Sequence, residues 1–180
     1  AKRHDRRAAS AVAVLTVSIE FAKAGQASVK ATNPGATLII VTADHGHVFT
    51  IAGYPKRGNP ILGTVVGVGK DTPDLAADNL PYTTLGYTNG RGFQDLGEVT
   101  NADAAYGEDI NSGRQDLSLV NTEVAGCHQE ALVPRSSETH SGEDVSVYAM
   151  GPGASLVNGT NEQSLIFHIM DVTGDLSVAA

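Results

Sequence analysis

One cysteine, Cys127, stands in 180 residues. An intrachain disulfide and a thiolate metal site each need a second cysteine, so both are excluded and a free structural thiol is the role left to it. Basic charge is short as well: twelve lysines and arginines face twenty acids, for a net charge of -8. A surface of that sign repels phosphate backbones and anionic headgroups, which argues against a nucleic-acid or membrane-surface binder. No run approaches the roughly 18 to 20 apolar residues of a membrane span, and the first 30 residues lack the short apolar stretch and small-residue cleavage site of a secretory leader. Internal repeats and low-complexity tracts are missing too. What is there is an acidic, soluble chain, 41% apolar, with material for one core: a single domain or part of a larger one.

Periodicity organises the ends of the chain. Val12, Leu15, Ile19 and Ala22 recur at three- and four-residue steps in a proline-free stretch, which predicts an amphipathic helix over 8–30 that packs on a sheet. Asn33-Pro34-Gly35 is a turn, and the β-branched run ATLIIVTA behind it predicts a buried strand of an α/β domain. From Gly53 to Pro134, glycine, proline, asparagine and aspartate punctuate short segments, the composition of an insertion of turns and short strands. EDVSVYAM at 143–150 resumes strand alternation and GPGA turns. NEQSLIFHIMDV at 161–172 then predicts a closing helix with Ser164, Phe167, Ile169 and Met170 near its apolar side.

The densest chemistry lies in VTADHGHVF, residues 41–49, at the C-terminal end of the first strand. Ligands of open α/β sheets gather at such ends, because the loops leaving the strand tips converge there. Asp44 and His45 offer a carboxylate oxygen and an imidazole nitrogen, ordinary zinc ligands at about 2.0–2.2 Å, and neighbours on an irregular loop can both turn to one ion. His47 is placed to be a further ligand or a support, and a merely solvated polar loop accounts for the spacing equally well. SSETHSGEDV at 136–145 sets His140 before a glycine turn and a strand; by itself it reads as a surface histidine. His168, within the closing helix, reads as packing or surface, and His128, in the insertion, as solvated.

Three segments taken together carry a family likeness: TLIIVTADHGHVFTIAGYPKRGNPILG, PYTTLGYTNGRGF and VPRSSETHSGEDVSVYAMGPGASLVNGTNEQSLIFHIMDV. In this order, from about residue 12 to 172, they resemble the carboxy-terminal part of the alkaline phosphatases. The resemblance implies an α/β fold, a mainly parallel sheet flanked by helices with a long crown-like insertion. It divides the chain into 1–52 (helix, strand and metal-binding loop), 53–134 (the insertion) and 135–180 (last core strand, metal-binding loop and closing helix). It implies Asp44 and His45 as ligands of one zinc and His140 as a ligand of a second, with His47 supporting near the metals. The implied reaction is metal-dependent hydrolysis of phosphate monoesters through a phosphoserine, with two zinc ions about 4 Å apart. Magnesium is implied as well, its ligands outside this chain. The implied partners are phosphate monoester substrates, the upstream part of the same enzyme and a second copy in a homodimer, which the insertion helps to build along with the pocket rim. The implied location is periplasmic, secreted or at the cell surface.

The departures from that family matter as much. Its nucleophile lies in an Asp-Ser-Ala context far upstream, and this chain has no Asp-Ser dipeptide. No catalytic residue is therefore assigned here. The nucleophile, the aspartate bridging the metals, the phosphate-binding arginine and the magnesium ligands are all expected before residue 1, and the chain alone is expected to be inert. The family helix entering this region opens with Asp-His-x-x-His, whose aspartate and last histidine bind the same zinc as His140. A gap-free alignment on Leu15, Thr16, Ile19, Glu20 and Phe21 puts Arg3 and Arg7 on those two positions. A guanidinium has no acceptor and stays charged, so it repels zinc. Either these first residues have diverged or been misread, or this site has lost its metal. Three functions follow: a phosphomonoesterase represented by its carboxy-terminal portion; a phosphodiesterase or sulfatase on the same fold, which the insertion and SSETHSGEDV fit poorly; and a diverged or truncated chain that binds metal without turnover.

Overall fold

The computed structural model describes residues 10–90, 92, 116–135 and 137–179; Arg3 and Arg7 lie outside them. A long helix, α1 (Ala11–Ala31), begins where Ser10 Oγ accepts the Ala13 N–H at 3.4 Å, the act of a capping serine. It ends before Asn33-Pro34-Gly35, where the Gly35 N–H donates to Asn33 Oδ1 at 2.9 Å in a side-chain turn that proline keeps from continuing as helix. The apolar stripe expected against a sheet is used only at its start. Val12 and Leu15 are half-buried, whereas Ile19 is 56% exposed and Ala22 is exposed. Periodicity identifies a face that can be buried; it does not supply the surface that buries it.

The chain divides into two compact units, Ala1–Ser18 with His47–Ser141 and Ile19–Gly46 with Gly142–Ala180. The first holds strands β2 (Phe49–Ile51), β3 (Leu85–Gly90) and β4 (Ala131–Pro134), in the order β2-β3-β4. β2 runs antiparallel to β3, with Phe49 opposite Tyr87, and β4 runs parallel to β3. Leu85 and Tyr87, two apart on β3, turn to the same side and are buried with Val65, Leu117 and Cys127. The rings of Phe49 and Tyr87 meet edge to face at 5.4 Å. Between β2 and β3 the chain makes the expected turns and short pairings, tied by Lys56 N–H to Val66 O (2.7 Å), Val65 N–H to Tyr82 O (2.9 Å) and Ala52 N–H to Thr84 O (2.8 Å). Cys127 is a buried free thiol, as expected. His128 is not solvated: it is 2% exposed, in a buried run with Cys127 and Gln129, and Gln129 Oε1 accepts the Ala11 N–H at 2.6 Å. Local polarity suggested a wet loop, but hydrogen bonds to residues distant in sequence let polar groups enter a core.

The second unit has a two-stranded antiparallel sheet, β1 (Ile39–Val41) on β5 (Tyr148–Met150), with Ile40 opposite Ala149. After β5 the chain reverses through Gly151 (φ +94°) and Gly153 (φ +78°) into a short 3₁₀ turn, Ala154–Leu156. A Cβ at Gly151 would run into the Thr37 carbonyl oxygen, and one at Gly153 into the Thr173 hydroxyl, so both positions require glycine. The closing helix, α2 (Leu165–Gly174), buries Ile169, but Phe167 and Met170 of its expected apolar side are 59% and 43% exposed. No described helix is long and apolar enough to cross a membrane. The fold is thus α/β with mixed sheets. Of the three described strand pairings two are antiparallel, where a mainly parallel sheet was expected. Alternation and apolar content reveal that a strand exists, whereas its neighbour's direction is set by the path between them.

Candidate metal centre

Two loops carry the candidate ligands, one in each unit. In the second unit, β1 ends at Val41, and Thr42 Oγ1 ties the emerging chain across to the Ser146 carbonyl at 3.1 Å. The loop then turns sharply enough for the His45 N–H to donate to Asp44 Oδ1 at 3.2 Å. His45 Nδ1 lies 2.9 Å from the Gly46 carbonyl oxygen. A carbonyl can only accept, so Nδ1 carries the proton and, in the neutral ring, the lone pair sits on Nε2. That nitrogen stands 3.5 Å from Asp44 Oδ2, which is long for a hydrogen bond. Two donors each about 2.1 Å from one tetrahedral ion are about 3.4 Å apart, so the pair has the separation of two ligands on a shared zinc. The second partner of the ring, a backbone carbonyl on Nδ1, is the support that metal-bound histidines regularly have.

A cleft of about 410 Å³ opens beside Asp44, with Glu143, Asp144 and Glu162 also on its wall and Ile166 and Ile169 among its apolar lining. Four carboxylates around one cleft would repel an anionic ester, so any phosphate chemistry at this end requires cations held by those groups or by their neighbours.

In the first unit His47 and His140 meet edge to face, ring centroids 5.3 Å apart and planes at 73°, and a ligand nitrogen of each lies within 4.8 Å of the other. The arrangement is built by long-range ties. His47 Nδ1 is 2.8 Å from Glu138 Oε2, whose side chain is 1% exposed. The Val48 N–H donates to Ser141 Oγ at 3.0 Å, and Val48 holds φ +50°, a left-handed conformation that costs a β-branched residue of order 1–3 kcal/mol. The Thr139 N–H donates to Asn89 Oδ1, and Asn89 Nδ2 to Thr139 Oγ1, both at 2.9 Å, which clamps the His140 loop to β3. Burial, and after it the nearby Glu138 carboxylate, push the Tyr87 phenol well above its ordinary range.

Of the residues expected from sequence, Asp44 and His45 are neighbours at the β1 tip and His47 stands against His140. His140 is exposed, as a surface histidine would be, yet its ring meets that of His47 edge to face. His168 is exposed on α2, its ring against Phe167 at 5.4 Å. Sequence reading passed over Glu138, although it sits two residues before His140. An acid at that spacing from a candidate ligand was the available signal.

The donor set suits zinc: imidazoles and carboxylates, with Nδ1 of His45 and of His47 each already beside an oxygen partner. Comparison with known proteins gives the same direction. The family model described as alkaline phosphatase matches residues 2–176. The tissue-nonspecific alkaline phosphatase of Gallus gallus is 38% identical over 167 residues, 93% of this chain and 28% of that protein. Alkaline phosphatase 4 of Drosophila melanogaster is 39% identical over 165 residues, 89% of this chain and 26% of its own length. The tissue-nonspecific isozyme of Felis catus is 42% identical over 134 residues, 74% of this chain and 22% of the relative. The chain thus spans roughly a quarter of the length of the curated relatives it matches.

Proposed function

The chain belongs to the alkaline phosphatase family, and on that premise we propose that it is the metal-holding carboxy-terminal portion of a zinc-dependent phosphomonoesterase. Asp44 and His45 hold one zinc, His140 contributes to a second, and His47 stands beside them. The observation that carries the reading is the 3.5 Å separation of Asp44 Oδ2 and His45 Nε2, with the other ring nitrogen already committed to the Gly46 carbonyl. Zinc, when bound, supplies a Lewis acid that brings water toward a pKa near 7 and neutralises charge on a leaving oxygen. This chain's residues present the lone pairs, fix the rings that carry them and lend the cleft its acidic wall. The serine that takes the phosphoryl group, the magnesium ligands and the phosphate-binding arginine belong to the upstream part of the enzyme. Residues 53–134 serve as a crown-like rim of a homodimer, and the enzyme works in the periplasm, at the cell surface or after secretion.

Arg3 and Arg7 favour a second reading, a chain that holds metal without turnover, because they stand on the two ligand positions that would complete the zinc of His140. One experiment tests what the two readings share. The purified chain is titrated with zinc and assayed with an aryl phosphate. Zinc is expected to bind and to leave with a chelator, with no turnover, because removal of a nucleophile removes many orders of magnitude of rate. Zinc uptake unchanged by Asp44→Ala and His45→Ala would end both readings. Turnover at a whole enzyme's rate would show that the nucleophile has been misplaced.

A further inference from the structure

A carboxylate sunk to 1% exposure requires a donor, and Glu138 has one at Oε2: His47 Nδ1, at 2.8 Å. Its other oxygen, Oε1, is buried without a hydrogen-bond partner among the described residues. Among the described residues the cost of burying Glu138 is therefore offset through this bond, and a charged acceptor holds such a donor hard. Both ends of the bond are anchored to the same strand. On the acid's side, Asn89 and Thr139 exchange hydrogen bonds at 2.9 Å, and the Arg135 N–H donates to the Gly90 carbonyl at 2.6 Å. Gly90, at φ +144°, packs against Glu138: a Cβ there would lie in ordinary contact, 3.5 to 3.6 Å from the Glu138 Cβ and main chain. On the histidine's side, the Thr88 N–H donates to the Val48 carbonyl at 2.9 Å and the Val48 N–H to Ser141 Oγ at 3.0 Å, holding Val48 in its left-handed conformation.

We propose that Glu138 is the positioning residue of this centre: by accepting the Nδ1 proton it fixes His47 as the tautomer whose lone pair is on Nε2, and sets the angle at which that ring meets His140. The inference rests on the zinc reading for its purpose, since Nε2 is then the nitrogen His47 presents to the metals or to what they bind. It does not rest on it for its geometry. Histidine–carboxylate pairs of this kind orient ligand rings and raise their basicity, and their loss commonly lowers metal affinity 10- to 100-fold.

The test has two arms on the full 180-residue chain. In the first, the metal-free chain with ¹⁵N-labelled histidine is examined at about pH 8, above the ordinary imidazole range, by long-range ¹H–¹⁵N spectra, with His47 assigned from the His47→Gln spectrum. The expected wild-type result is the Nδ1–H form, kept in Glu138→Gln, whose amide oxygen still accepts, and lost in Glu138→Ala. A wild-type His47 in the Nε2–H form or protonated at both nitrogens overturns the proposal, as does a tautomer unchanged in Glu138→Ala. In the second arm zinc alone is titrated by chelator competition. Glu138→Ala is expected to weaken binding 10- to 100-fold and Glu138→Gln less. Equal affinities for wild type and Glu138→Ala overturn the positioning role. A wild-type chain that takes up no zinc defeats the zinc reading, and the spectra then decide by themselves whether Glu138 sets the ring.

Discussion

The two units hold their candidate ligands in opposite ways. In Ile19–Gly46 with Gly142–Ala180, the pair Asp44 and His45 is adjacent in sequence, and its geometry comes from one tight turn after a three-residue strand. Little is buried beneath it: Ile169 is the large apolar residue of that unit's described part below 5% exposure, while Phe21, Tyr148, Phe167, Val172 and Leu176 each expose more than half their surface. In Ala1–Ser18 with His47–Ser141, the pair His47 and His140 is 93 residues apart in the chain and rests on a core of Val65, Leu85, Tyr87, Leu117 and Cys127. Adjacent ligands can be arranged by local backbone alone. Distant ones need a packed scaffold, and the scaffold appears where they are.

Metal binding gives the largest expected contrast. His45→Ala should cost more than about 100-fold in zinc affinity, beyond the 10- to 100-fold typical of a supporting residue, whereas His140→Ala should stay within about 10- to 100-fold, because a gap-free alignment puts Arg3 and Arg7 on its expected partner positions. Arg3→Asp together with Arg7→His should raise the zinc count, with neither change sufficient singly. Metal analysis after dialysis checks both, and equal losses for His45→Ala and His140→Ala would erase the contrast.

Stability comes next. Leu85→Ala, at a site 1% exposed, should lose about 3–5 kcal/mol in urea unfolding, as deep core truncations do. The second unit should break through its backbone instead. Gly151→Ala forces a side chain onto the Thr37 carbonyl at φ +94°, for a loss above about 2 kcal/mol, while Ile169→Ala, with half-exposed neighbours, should fall near the bottom of the core range at about 2 kcal/mol. A loss at Ile169 that matched Leu85 would mean that the sparse unit has a core after all.

The smallest effect is one of pH and belongs to the packed unit. The unfolded phenol of Tyr87 ionises near 10.0 and the folded one only above that, so in alkali the native state keeps a proton that the unfolded state has released. Its contribution is intact below about pH 10 and lost as pH climbs toward the folded value. Tyr87→Phe should flatten the fall in stability above about pH 10 and change little at neutrality, since the phenol oxygen is buried without a hydrogen-bond partner among the described residues. An unchanged alkaline slope in the variant would assign that fall to other groups.

Much of this was legible in the chain. The long helix, the turn at Asn33-Pro34-Gly35, the strand before Asp44, the strand around Tyr148 and the closing helix all follow from local period and turn chemistry. The burial of His128 was not, set as it is beside Gln129, whose hydrogen bond reaches Ala11 across 118 positions. Nor were the exposure of Ile19 and Phe167 or the antiparallel pairing of β1 with β5, since a pattern of apolar residues specifies a face and not what covers it.

Family membership was determined by sequence alone, through ordered motifs spread over most of the chain, and so was the choice of Asp44 and His45 as metal candidates, because donor chemistry belongs to residue types; His140 became a candidate only through the resemblance. Which ring nitrogen His45 and His47 offer was decided by the folded chain, locally for the first and only by tertiary structure for the second. The Gly46 carbonyl sets it for His45 and the buried Glu138 for His47. A tautomer is selected by the hydrogen bond at the other nitrogen, and for His47 that partner is 91 residues away, brought within 2.8 Å by the packing of the 135–141 loop on β3.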